Sequence, residues 1–261
     1  MTGHHLASSS WQAWGLRGKF ELFGLPHLCV LGAVLVILVV ICRIARDPAK
    51  VGLSRNIDLA LGILVLWSYP AKILTRYYGD VTMTVPYLPM HFCDWAAVAA
   101  FLALVLRIER MAEVAYFWGM AGTLQGLVTP NIEVGFPHPA WFAFFQLHGG
   151  VVLVALYLVF GHQWRPRKGA VWRVFLFGYV YLAVAGVVNL MSERNNYGFL
   201  RSKPENGSLM DALGPWPFYL FALQGVALLV FTLFDLPFWR GRRKRMRLIR
   251  EAAEHGPEAG G

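Results

Sequence analysis

The sequence predicts an all-α, polytopic membrane protein: a bundle of seven transmembrane helices with the N-terminus outside and the C-terminus in the cytoplasm. Three observations carry this reading. Hydrophobic residues make up 57% of the chain and charged ones only 15%, where a soluble domain carries about 25% charged residues. The uncharged stretches 22–42, 114–132, 134–164, 174–192 and 212–234 each hold the roughly 20 residues that cross a ~30 Å hydrocarbon core. Lys and Arg also divide unevenly between alternate connecting segments, 17 on one side and 7 on the other, and the richer side is cytoplasmic.

Taken in order, the spans are not equally plain. The first, 22–42, follows Trp11, Trp14, Arg17, Lys19 and Glu21. It is too long for a signal h-region and lacks a small-residue cleavage site after it, so it is expected to stay. Its Cys29 and Cys42 read as small packing residues. The stretches 57–74 and 89–107 carry Asp58 and Asp94 near one end, and 57–74 is doubtful enough that six spans is the alternative count. No composition break or repeat marks a second domain. The expected organisation is an extracytoplasmic segment 1–24, a transmembrane domain 25–238 and a basic cytoplasmic tail 239–261. That tail, directly after a span, reads as an orientation signal touching anionic lipid rather than as a nucleic-acid site.

Polar residues gather at the predicted outer end. His91, Cys93 and Asp94 begin span three, Gln125, Thr129 and Asn131 end span four, His148 lies inside span five, and Asn189 ends span six. An ionisable group inside a span costs several kcal/mol unless paired or wetted, so His148 is a functional candidate. Its structural alternative is a hydrogen bond between helices. His91 and Asp94, three apart, share a helix face; for His91 a capping role competes with chemistry, and Asp94 reads as orienting a neighbour. Cys93 cannot face His91 from two positions away, so any base for it must come from another helix, and His148 is the best-placed imidazole. A thiol beside an imidazole makes an activated nucleophile, helped by the positive end of the helix dipole. A packing cysteine is the competing reading.

The depths are compatible. At 1.5 Å per residue Cys93 lies ~6 Å and His148 ~12 Å below the outer boundary. One helical turn separates them, provided spans three and five are neighbours. Zinc, dithiol, serine-hydrolase and phosphate-loop motifs are missing from the sequence, and no metal or soluble cofactor is implied. His4, His5, His27 and His162 sit in the tail or near span ends, without evident partners.

"LPMHFCDWAAV", "GLVTPN", "FFQLHGGVV" and "NNYGFLRSKPENGSLMDALGPWPFY" follow in that order. Over about residues 25–236 the chain resembles the YwaF-type bacterial integral membrane proteins, which are akin to the eukaryotic transmembrane protein 164. It is also distantly similar to androgen-induced membrane hydrolases of fatty-acid esters, which use a threonine and a histidine. The resemblance implies a multi-pass protein of the bacterial cytoplasmic membrane that transfers or hydrolyses phospholipid acyl groups. It also implies Cys93 as nucleophile and His148 as base, leaves the role of His91 open, and does not carry over the ether-lipid preference of the eukaryotic relative. The loop 192–214 is long for a bundle connection and is expected to close over a polar outward cavity, with Lys203, Arg201 and Tyr197 toward a lipid headgroup. The rival expectation is a seven-helix transporter or receptor that binds in the same cavity without reacting.

Overall fold

A computed structural model describes residues 18–78, 88–193, 195–204 and 209–254. Residues 1–17, which make up most of the expected N-terminal segment, lie outside the described residues, as do Arg194 and the end of the basic tail. The described fold is all-α, with one isolated bridge between Lys19 and Val134. Its α-helices are α1 (Leu25–Ala45), α2 (Val51–Tyr78), α3 (Phe92–Leu104), α4 (Glu109–Trp118), α5 (Leu124–Val128), α6 (Pro139–Phe160), α7 (Ala170–Leu190) and α8 (Phe218–Glu254).

Five helical stretches are long and apolar enough to cross a membrane: Leu25–Ala45, Pro48–Thr75, Pro139–Phe160, Ala170–Leu190 and Phe218–Arg243. The doubtful stretch 57–74 is among them, because its helix runs well past both ends of the uncharged segment and carries Pro70 inside it. The two that fall short are instead the expected spans three and four. Helix α3 has 13 residues, ~20 Å at 1.5 Å each, which is less than a hydrocarbon core. It starts only after Pro86 and Pro89 and ends before Arg107, which takes a left-handed φ of 56°. The stretch 114–132 is interrupted by a π-helical turn at Gly119–Thr123, and its helix ends at Val128. Single π-turns of this kind recur at functional sites.

Helix α6 is the axis of the bundle. It starts on Pro139, suited to a first turn because its missing N–H has no intrahelical partner there. Within its most apolar window 72% of residues are buried, against 11% in α1 and α8. Helices α1, α2, α3 and α4 all pack against it, so an element apolar all round is enclosed by protein. By contrast, α1 buries only His27, Leu38, Ile41 and Cys42 and exposes Leu35, Val36, Val39 and Val40, an apolar outward face suited to lipid. Cys29, expected to pack, is exposed on that helix.

Buried charges are paired. Asp58 on α2 takes Arg107 at 2.5 Å and the Nε2 of His162 at 2.8 Å. Glu113 on α4 is held by Arg167 at 3.0 Å and Arg173 at 2.7 Å. Two histidines expected to lack partners therefore have them. His162 binds Asp58, and His27 accepts from the Phe23 N–H at 3.1 Å through Nδ1 while its Nε2 donates to the Leu127 carbonyl at 2.9 Å. His27 thus ties α1 to the end of α5. Their partners are about 100 residues away or sit on the backbone, where sequence spacing says nothing.

Candidate functional site

Cys93 is the second residue of α3, and its neighbours fix that helix start. Asp94 accepts a hydrogen bond from the His91 N–H at 3.1 Å, satisfying one of the donors a helix leaves open at its beginning. The same carboxylate, 1% exposed, receives the Lys72 ammonium of α2 at 2.6 Å. Asp94 therefore ties the start of α3 to α2 through Lys72. Lys72 was legible to one test: it interrupts an otherwise apolar helical run, where a charge demands a partner.

Around that pair the helices close up. Phe92 stacks on Trp118 with ring centroids 4.3 Å apart and meets Tyr181 edge-on at 5.6 Å. The Tyr181 hydroxyl donates to the Met90 carbonyl at 3.1 Å. Thr123, fully buried at the end of the π-turn, lies beside the Cys93 thiol. Neither Tyr181 nor Thr123 figured among the sequence candidates, since a tyrosine or threonine in an apolar helix carries no signal of its own.

Helix α3 packs directly against α6, the neighbour relation that the depth argument required. His148, 8% exposed, lies within electrostatic reach of Lys72, Asp94 and His91. Its ring stacks on Phe144 at 4.0 Å, and its Nδ1 is 2.8 Å from the Phe144 carbonyl. A carbonyl only accepts, so Nδ1 carries the hydrogen and Nε2 keeps a lone pair. That tautomer is the one a general base needs.

Gly126 of α5 makes room for the imidazole. A Cβ on Gly126 would come to 2.3 Å from His148 Cδ2 and 2.7 Å from Nε2, well inside van der Waals contact. We therefore expect Gly126→Ala to displace the His148 ring. The ring resonances of His148 should shift in the NMR spectrum of the variant, while helical content stays unchanged by circular dichroism. Unshifted His148 resonances would show that Gly126 does not fix the ring.

The remaining candidates fall into two groups. Gln125, Thr129 and Asn131 are exposed at the end of α5, and the Thr129 hydroxyl donates back to the Gln125 carbonyl at 3.1 Å. Asn189, 3% exposed, clamps the following loop instead: its Nδ2 donates to the Tyr197 carbonyl at 2.9 Å and its Oδ1 accepts from the Tyr197 N–H at 2.8 Å. The clamp sets the Tyr197 ring edge-on to His91, with centroids 5.2 Å apart. Arg201 donates to the Asn189 carbonyl at 2.5 Å. Lys203 sits 3.9 Å from the Asp211 carboxylate and 5.5 Å from the Tyr219 ring centre. The loop is thereby fastened next to the start of α3.

Two cavities of about 320 and 310 Å³ open elsewhere, near Arg46 and Phe160 at the other end of α6. Among the described residues no cluster of His, Cys, Asp or Glu is arranged to hold a metal ion.

No curated protein and no solved structure matches the chain. A family model does, over residues 22–235, which takes in every helix from α1 and the apolar part of α8, together with Lys72, Cys93, Asp94 and His148. With five helices able to cross a bilayer and a match over most of its length, this chain is an integral, multi-pass membrane protein that belongs to the TMEM164 family.

Proposed function

We propose that the protein is a membrane-embedded acyltransferase or acyl-ester hydrolase acting on phospholipid through a thioester on Cys93. The observation that supports it most is the cluster at the start of α3. A partly buried thiol at a helix N-terminus adjoins a fixed Lys72–Asp94 pair, and the helix that carries it packs against α6, whose His148 holds its Nδ1 hydrogen on the Phe144 carbonyl and keeps Nε2 as the accepting nitrogen.

In this reading the Cys93 sulfur attacks the ester carbonyl carbon of a lipid, and its proton passes to His148 Nε2. The carbon–oxygen bond of the ester breaks, and the departing lysolipid oxygen takes that proton. Cys93 is left acylated. A second lipid hydroxyl or water then attacks the thioester, giving up its proton through His148 to the sulfur as it leaves. The Lys72–Asp94 pair holds the start of α3 in place. His91, the N-cap residue packed on Tyr197, links this point to the loop 195–201, which serves as a cover over the site. Lys203, Arg201 and Tyr197 stand toward the headgroup side of that cover.

The topology that suits this chemistry has seven membrane-embedded segments, with α3 and the α4–α5 unit as short ones that do not span alone. The N-terminus is outside and the basic C-terminal segment is cytoplasmic, in a bacterial inner membrane. A site formed by short segments lies near one leaflet surface, where an ester carbonyl of a lipid resides.

Trapping tests the reading. Purified protein incubated with a phospholipid bearing one labelled acyl chain should acquire that acyl group on Cys93, and hydroxylamine should remove it. Mass spectrometry should find no such adduct on Cys93→Ala. Solute movement across liposomes by Cys93→Ser at the wild-type rate, with no adduct on the wild type, would establish the transporter reading instead.

A further inference from the structure

The two cavities at the other end of the bundle are parts of one feature. The first is lined by Arg46, Phe160, Trp164, Arg165 and Phe238 among others, and the second by Leu38, Val39, Cys42 and Arg43, and both include Arg46 and Phe160. One part is therefore edged by polar groups and the other is formed mainly by apolar side chains of α1, the buried Leu38 and Cys42 and the exposed Val39, with the Arg46 side chain between them. The Arg46 position is fixed: its Nε donates to the Phe160 carbonyl at 2.6 Å.

The charge balance at this end is incomplete. The described carboxylates here, Asp47, Asp58, Glu109, Glu113 and Asp235, are each already paired with other basic side chains. Among the described residues no carboxylate is left for Arg43, Arg46 or Arg165. Three guanidinium groups thus surround a recess whose continuation is apolar and faces the surroundings of α1. Guanidinium is the side chain best matched to phosphate oxygens, and basic pockets between transmembrane helices take anionic headgroups.

We propose that this recess is a binding site for an anionic phospholipid, with the phosphate held by Arg46 and Arg165 and one acyl chain laid along Leu38, Val39 and Cys42. It is separate from the Cys93 site, at the opposite end of α6, and does not depend on the acyl-transfer reading.

Native mass spectrometry of the detergent-purified full chain tests it, with phosphatidylglycerol as probe and phosphatidylcholine of the same chains as the neutral comparison. Wild type should retain phosphatidylglycerol about tenfold more tightly than phosphatidylcholine, and the Arg46→Gln/Arg165→Gln double variant should lose that preference. Val39→Trp, which fills the apolar part without changing any charge at an exposed position, should weaken phosphatidylglycerol binding by a similar factor. Millimolar inorganic phosphate should not displace the lipid. Equal retention of the two lipids would overturn the proposal. So would wild-type phosphatidylglycerol binding by either variant, or displacement by free phosphate. Should the double variant not fold, Val39→Trp decides alone. Cys93→Ala should bind phosphatidylglycerol as wild type does, whichever way the catalytic test falls.

Discussion

His148→Ala is expected, on the proposed thioester mechanism, to lower the rate of lipid acyl transfer by about 10²–10⁴-fold, the usual loss when a positioned general base is removed. The geometry makes this one of the largest effects in the molecule. Hydrogen bonding to the Phe144 carbonyl fixes one ring nitrogen as donor, and stacking on Phe144 and the close approach of Gly126 fix the ring plane. A histidine that only joined helices would behave differently. Its loss would lower stability and leave the rate per folded molecule unchanged. The measurement is therefore made twice: steady-state acyl transfer, and the rate of Cys93 alkylation by a small electrophile at neutral pH. His148→Ala should slow the alkylation, since the thiol then lacks its proton acceptor. An unchanged alkylation rate with wild-type turnover would remove His148 from the mechanism.

Lys72→Met is expected to destabilise the protein by about 3–5 kcal/mol, the cost of leaving one member of a buried ion pair without the other. Asp94 is 1% exposed and Lys72 20%, so the carboxylate suffers most and cannot turn to water. It also receives the His91 N–H, which couples the loss to the first turn of α3. Unfolding in detergent followed by circular dichroism measures the change. The double variant Lys72→Met/Asp94→Asn should recover a substantial part of it, because a neutral amide no longer demands a counter-charge. If the single variant unfolds like wild type, the pair is a surface contact and does not organise the site.

Much of the fold was legible in the sequence because the bilayer imposes a simple rule. Every backbone polar group within it must be satisfied internally, so long uncharged runs become helices. Composition and run length thus gave the all-α class and most helices without any knowledge of packing. His148 and Asp94 stood out in the sequence by a related logic, because burying an ionisable group is costly anywhere in an apolar segment. The family likeness, seen in short motifs around Cys93 and His148, extended over residues 22–235.

Only the tertiary structure decided where the helices begin and end. Run length made 114–132 a firm span, yet its helix carries a π-turn at Gly119–Thr123 and ends at Val128, while the doubtful 57–74 is part of the 28-residue α2. Helix ends depend on caps, prolines and packing partners, which hydropathy does not register. Lys72 meeting Asp94, Gly126 admitting His148, Thr123 reaching Cys93 and His162 binding Asp58 are all contacts between distant parts of the chain. Asn189, read as a cavity group, is a loop clamp for the same reason: its partner is the backbone of Tyr197. Sequence determined which residues needed partners, because that follows from solvation, and the packing of α2, α3, α5 and α6 chose the partners, because that follows from three-dimensional proximity.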